Sequence, residues 1–338
     1  MAARLECSYL LPLRWAGDEG RAELAAYLAA TAARCREVIV VDGSPPAVFG
    51  ANRDAFPDAV VHRPPDPTRA CLNGKVAGVM TAADLASAEA LVIADDDVRY
   101  DPASLGRTVA LLAEHDLVRP QNFFAPLPWH ARWDTARTLL NRACGRDYPG
   151  TLAIRRSRLL GIGGYDGDVL FENLELIRAV AAAGGAEAAP LDLYVRRLPP
   201  STRHFLGQRV RQAYDDFALP LRMAIWLGIV PVAALLARRP RSLLLALAGV
   251  TALAERGRRR AGGRRVFSFS SSLLAPAWVL ERGVCAWLAV WARTARGGVR
   301  YGGSRIRRAA TSWPPPRRSA AVAGDGYSDR RTGNGLPR

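Results

Sequence analysis

The sequence predicts an α/β protein: a doubly wound sheet followed by apolar, membrane-associated helices. Three observations carry this. Apolar, β-branched runs alternate with segments of helical composition through the first half of the chain, which is the pattern of βαβ units. One such run, Ala90–Ala94, ends abruptly in Asp95-Asp96-Asp97, and three adjacent carboxylates repel one another unless something positive sits among them. Charge is also divided: residues 1–216 carry 25 basic and 27 acidic side chains, and residues 217–338 carry 22 and 4, so the excess of the +16 chain lies wholly in its apolar C-terminal part. Basic charge beside long apolar runs suits an anionic membrane surface, and with no binding motif in the chain, nucleic acid is not an expected partner.

In order, Leu5–Leu13 suits a first strand and Asp18–Arg36 a helix with Leu24, Tyr27, Leu28 and Thr31 on one face. Glu37-Val-Ile-Val-Val-Asp42 reads as a buried parallel strand that delivers Asp42 to the carboxyl edge of the sheet, where it can accept hydrogen bonds from a nucleoside or cap the turn at Gly43-Ser44. Ala59–His62 is a weaker strand, and Asn73-Gly-Lys75 leads into a helix of small residues, Val76–Ala88. Lys75 is the only lysine among 47 basic residues, so it is either a compact point charge for a phosphate or a surface residue spared by chance. The acidic triplet then suits either a hard cation such as Mg²⁺ together with substrate phosphates at the strand ends, or a solvated acidic turn before the helix start at Asp101-Pro102. Asp101–His115 continues as a helix, Leu117–Arg119 as a strand and Trp129–Arg142 as an amphipathic helix.

Val-Val-Asp42-Gly-Ser44, Gly-Lys75, Asp95-Asp-Asp97, Ala-Ile-Arg-Arg156, Gly-Gly-Tyr-Asp166, Glu172-Asn-Leu-Glu-Leu176 and Gln208-Arg-Val-Arg211 follow one another from about Ser8 to Ala213. In that order they resemble the family 2 glycosyltransferases, which have a GT-A nucleotide-sugar-binding, Rossmann-like fold. The resemblance implies that Asp42 holds the nucleoside, that Lys75 lies near the donor, and that Asp95 and Asp97 form the D-x-D pair for a UDP- or GDP-sugar and its Mg²⁺ or Mn²⁺. Glu172 and Asn173 occupy the place of the family's catalytic Glu-Asp pair. Asn173 has no basic site, so Glu172 is the remaining carboxylate for the acceptor proton, with Glu175 a second candidate. Gln208, Arg209 and Arg211 match the family's Q-x-x-R-W segment, and the two arginines would clamp diphosphate or lie on a solvated face. Gln212 stands where processive polymer synthases place a tryptophan platform, which favours a single transfer over a polysaccharide synthase.

Phe217–Ala237 approaches the length of a membrane span, with Arg222 snorkelling near its entry; Ser242–Ala254 is shorter and suits a hairpin partner. Val266–Ala292 is long enough to span but holds Glu281-Arg282 and three tryptophans, which suits an interfacial helix equally. Expected units are therefore a cytosolic catalytic domain over 1–216, membrane helices over 217–292 and a basic, Pro/Gly-rich disordered tail over 293–338. Five cysteines without C-x-x-C spacing, and no signal-peptide core, place the domain at the cytoplasmic side of the cell membrane. The activity expected is inverting transfer of one sugar to a lipid or lipid-linked acceptor, the alternatives being a polysaccharide synthase or a catalytically silent membrane-binding protein.

Overall fold

A computed structural model describes residues 4–18, 20–301 and 304–311. β1 (Leu5–Leu13), α1 (Arg21–Ala32), β2 (Cys35–Asp42), α2 (Pro46–Ala55), β3 (Val60–Arg63), α3 (Gly74–Leu85) and β4 (Ala90–Ala94) alternate as the apolar runs require. Strand alternation sorts the core into two layers. Cys7, Tyr9, Leu11, Val38 and Val40 pack with Leu24 and Leu28 of α1 on one face of the sheet, while Leu10, Ile39 and Val41 pack with Val76, Val79 and Met80 of α3 on the other. β1 pairs in parallel with β2 and with β4, so the chain leaves β1 on opposite sides in turn, and the crevice at the carboxyl ends of these strands is where an open α/β sheet binds ligands.

The chain then forms β5 (Val98–Arg99), α4 (Pro102–Leu111), β6 (Leu117–Val118), β7 (Gln121–Phe124), α5 (Trp129–Cys144), β8 (Thr151–Arg155), α6 (Arg156–Gly161), α7 (Glu172–Ala182), β9 (Glu187–Ala188), β10 (Tyr194–Arg197) and α8 (Thr202–Tyr214). The main sheet runs β3-β2-β1-β4-β8-β6-β9, with β8 antiparallel to β4, and a small second sheet runs β5-β10-β7. α4 opens on a capping box in which Asp101 and Ser104 satisfy each other's backbone, as an Asp before Pro102 allows. This is a mixed α/β fold with a mostly parallel central sheet.

The C-terminal part departs from expectation. It forms α9 (Pro220–Leu236), α10 (Pro240–Arg259), α11 (Phe269–Leu273), α12 (Ala275–Ala295) and the strand pair β11 (Val299–Tyr301) and β12 (Ser304–Ile306). No helix among the described residues is long and apolar enough to cross a membrane. The reason lies in what the small and charged residues touch. α10 lies along α5 so closely that a Cβ at Gly257 would stand 1.9 Å from the carbonyl oxygen of Leu139. The buried guanidinium of Arg142 donates to the carbonyls of Gly257 and Arg260, tying the end of α10 to the α/β domain. Glu281 and Arg282 of α12 turn inward, Glu281 accepting from Trp133 and pairing with Arg209, and Arg282 pairing with Asp216. Arg222 pairs with Asp216 at 2.9 Å in place of reaching an interface. Residues 299–301 and 304–311, expected in the tail, fold back onto the α/β domain; 312–338 lie outside the described residues.

Candidate functional site

Three segments converge at the carboxyl edge of β4. The first is the acidic turn itself. Asp95 is held by its own backbone, whose amide donates to Gly150 at 2.9 Å, and a side chain at position 150 has no room: its Cβ would lie 2.6 Å from Asp95 Oδ2 and 3.1 Å from Arg197 Cζ. The second is the start of α3, where Asn73 caps the helix by accepting from the Lys75 amide. The third is the start of α7, whose first residue is Glu172.

Lys75 joins all three. Its Nζ stands 2.6 Å from Asp95 Oδ1 and 2.8 Å from Glu172 Oε1. Burial alone would discharge this amine, but the carboxylates of Asp95 and Glu172 outweigh it and hold the ammonium charged well above the usual lysine range. Arg197, at the end of β10, donates through Nε to Asp97 Oδ2 at 2.7 Å and reaches Asp95 Oδ2 at 3.5 Å. The indole of Trp15 donates to Asp96. Burial, opposed by Arg197 and reinforced by Asp95 and Asp96, pushes Asp97 up to about 6, and its Oδ1 is buried without a hydrogen-bond partner.

The remaining expected residues divide. On α8 the stripe His204, Gln208, Arg211 faces one way, and Arg209 the other. Arg211 stacks over the Tyr301 ring at 5.0 Å, Gln208 accepts from Gln212, and His204 is held below the usual histidine range by burial and by Arg211, within reach of the field of Asp96 and Arg197. Arg209, expected to clamp diphosphate, is instead spent in the protein: it pairs with Asp134 at 3.0 Å and Glu281 at 2.7 Å, because its position on the helix faces α5 and α12. Asp42 is likewise enclosed. Burial would raise it, but His62, Asn52 and Ser44 bond it and hold it below the carboxylate range, so it braces the end of β2 and has no free oxygen for a nucleoside. Asn173 donates to the Pro149 carbonyl at 2.9 Å and so fixes α7 to the loop that carries Gly150. Glu175 is buried and accepts from the backbone and hydroxyl of Thr311, which removes it as a second base.

Sequence reasoning missed Arg197, Trp15 and Tyr301. Arg197 had a signal, a basic pair closing the apolar run Leu193–Val195; Trp15 and Tyr301 had none, since nothing local says where a lone aromatic in a loop or an Arg/Gly-rich segment will point.

Among the described residues no group of three or more His, Cys, Asp or Glu side chains could hold a metal by itself. Two carboxylates are present, Asp95 and Asp97, and the buried Oδ1 of Asp97, which no hydrogen bond reaches, is an acceptor left open beside Arg197. That donor set fits a hard cation that takes one or two carboxylates and completes its shell with substrate phosphates, and does not fit a cation caged by protein alone.

No family model matches the chain, and no curated protein matches it. Among solved structures, it is similar to a mannosyltransferase from Pyrobaculum calidifontis in complex with GDP-Man and Mn²⁺, at 18% identity and a TM-score of 0.49 over 86% of this chain and 89% of that one. It is also similar to a glucosyl-3-phosphoglycerate synthase from Mycobacterium tuberculosis in complex with Mn²⁺, UDP and phosphoglyceric acid, at 17% identity, a TM-score of 0.40 and 60% and 73% coverage. A mannosyl-3-phosphoglycerate synthase from Rubrobacter xylanophilus follows at 14% identity and 0.41, over 60% and 69%.

Proposed function

We propose that the chain is a membrane-associated, inverting glycosyltransferase of family 2 type, which moves one sugar from a UDP- or GDP-sugar to a hydroxyl of a lipid or lipid-linked acceptor at the cytoplasmic membrane face. One observation carries the reading: Lys75 bridges Asp95 and Glu172, which sets a phosphate-binding charge between the acidic turn and a carboxylate placed to act as base. In this reading the acceptor oxygen attacks the anomeric carbon while Glu172 takes its proton, and the bond to the β-phosphate breaks with its electron pair on the nucleotide. Lys75 and Arg197, which already hold the acidic turn, draw the charge that develops on the diphosphate. A divalent ion held by Asp95 and Asp97, Mg²⁺ or Mn²⁺, would supply further neutralisation of that leaving group.

Support for a membrane partner is the outer surface of α9, α10 and α12, where Leu221, Leu235, Leu244, Leu245, Trp287 and Trp291 are exposed. The exposed Arg238, Arg239 and Arg241 lie at the α9–α10 turn beside them. An apolar surface this broad, flanked by arginine, suits helices lying in an anionic interface.

The test is metal-dependent thermal stabilisation of the full chain by a panel of UDP- and GDP-sugars, followed by assay of nucleotide release. Wild type should be stabilised by one donor class only when Mg²⁺ or Mn²⁺ is present, and Asp97→Asn should lose that response. No stabilisation and no nucleotide release with any donor would end the reading.

A further inference from the structure

The segment after α12 was expected to be loose chain, yet it is tied to the residues that immediately precede Glu172. Arg308 bridges Val169, the Leu170 amide donates to the Arg308 carbonyl at 3.0 Å, and the Phe171 amide donates to that of Ala309 at 2.8 Å. Around this backbone pairing, Tyr214 donates to the Arg307 carbonyl at 2.8 Å, Arg308 pairs with Asp166 at 2.6 Å, and Thr311 donates twice to the buried Glu175. Ile306 and Ala309 are buried with Leu170, Leu174 and Tyr214 in a cluster of their own. These contacts grip the start of α7, the loop before it and the end of α8, so the strap is built in.

What the strap brings is Tyr301. Its ring carries Arg211 at 5.0 Å, and its hydroxyl is pushed up to about 12 by burial first and then by Glu172, with Lys75 and Arg211 acting in the opposite sense and Asp95 weakest. Tyr301 packs on the cluster that holds Leu170, Phe171 and Leu174, so its ring stands beside the start of α7, whose first residue is Glu172. With Glu172 as the base of the transfer reading, that side is the one an acceptor, and in its absence water, approaches.

We propose that residues 299–301 and 304–311 form the acceptor-side wall of the cleft, and that the Tyr301 ring positions the acceptor and keeps water from the anomeric carbon. This rests on the glycosyl-transfer reading above. Without an acceptor, the competing step is hydrolysis: a water oxygen bonds the anomeric carbon, its proton passes to Glu172, and the carbon–oxygen bond to the β-phosphate breaks with its pair on the departing nucleoside diphosphate. A wall that excludes water slows this step and leaves donor binding alone.

The experiment uses the full chain with the nucleotide sugar that stabilises it, measuring donor affinity by calorimetry and nucleotide release without acceptor. Tyr301→Ala should raise hydrolysis by about fivefold or more at unchanged donor affinity, and Tyr301→Phe, which keeps the ring, should restore the wild-type rate. Unchanged or slower hydrolysis in Tyr301→Ala with donor affinity intact would overturn the inference, as would loss of donor affinity in both variants. A wild type that neither binds nor hydrolyses any nucleotide sugar ends the transfer reading itself, a different result from a competent wild type indifferent to position 301.

Discussion

Glu172 and Asn173 are neighbours with opposite duties. Glu172 shares its Oε1 with Lys75 at the cleft, whereas Asn173 spends its amide on the Pro149 carbonyl. Glu172→Gln should therefore lower turnover roughly 10²-fold or more with donor affinity largely kept, since a positioned base contributes that much to proton removal. Asn173→Ala should be milder in turnover, and Asn173→Asp should gain nothing, because a carboxylate facing the Pro149 carbonyl sets acceptor against acceptor. Higher turnover in Asn173→Asp would overturn this. Lys75→Arg keeps the charge but not the compact fit between two carboxylates 2.6 and 2.8 Å away, and should weaken donor affinity about tenfold in calorimetry. Asp215 gives a pH signature. Burial, opposed by Arg211 and reinforced by Asp216 and Glu172, pushes it up to about 7. A raised carboxyl contributes stability below its unfolded value of about 4 that is lost as pH climbs through 7. Asp215→Asn should thus melt about 2–4 °C above wild type at pH 8 and level with it at pH 4; an equal offset at both values would show that the effect is not ionisation.

At the scale of elements, α10 shows what the sequence could and could not disclose. The strands that deliver Asp42 and Asp95 were legible because a buried parallel strand must be apolar throughout and its polar terminus then stands out. α10 is equally apolar along Leu243–Leu247, but hydropathy does not distinguish a helix face that meets lipid from one that meets protein. The deciding residues are Ala254 and Gly257, which are small because the backbone of α5 passes within contact distance, and Arg142, whose donors need the α10 carbonyls. Arg209 was misplaced for a similar reason: a basic helix reveals its stripe only once a partner such as Glu281 is known. Gly257→Ala should destabilise the chain by about 2–3 kcal/mol in denaturant titration, since the atoms in the way are α5 backbone at Leu139 and Ala143, with nothing soft to yield. A change under about 0.5 kcal/mol would mean that α10 is not seated on α5.

Over the whole molecule, charge and exposed apolar surface lie in the same C-terminal helices, and they should act together. The full chain should float with vesicles containing phosphatidylglycerol, less with neutral ones, and high salt should weaken the association. Leu244→Ser with Leu245→Ser should reduce binding about tenfold or more while leaving donor affinity in solution unchanged, since both side chains are exposed and far from the cleft in sequence. Equal flotation on neutral and anionic vesicles would remove the arginines from the account. The arginine bias of this chain has one more outcome, which concerns proteolysis. A protease that cuts only after lysine has a single bond to attack, Lys75–Val76, and that bond lies in the first turn of α3 with the lysine pinned between two carboxylates and Val76 buried. The intact fold should resist it, and the appearance of two pieces, 1–75 and 76–338, should time the opening of the cleft itself, so that donor binding reads out as slower cutting without any assay of turnover.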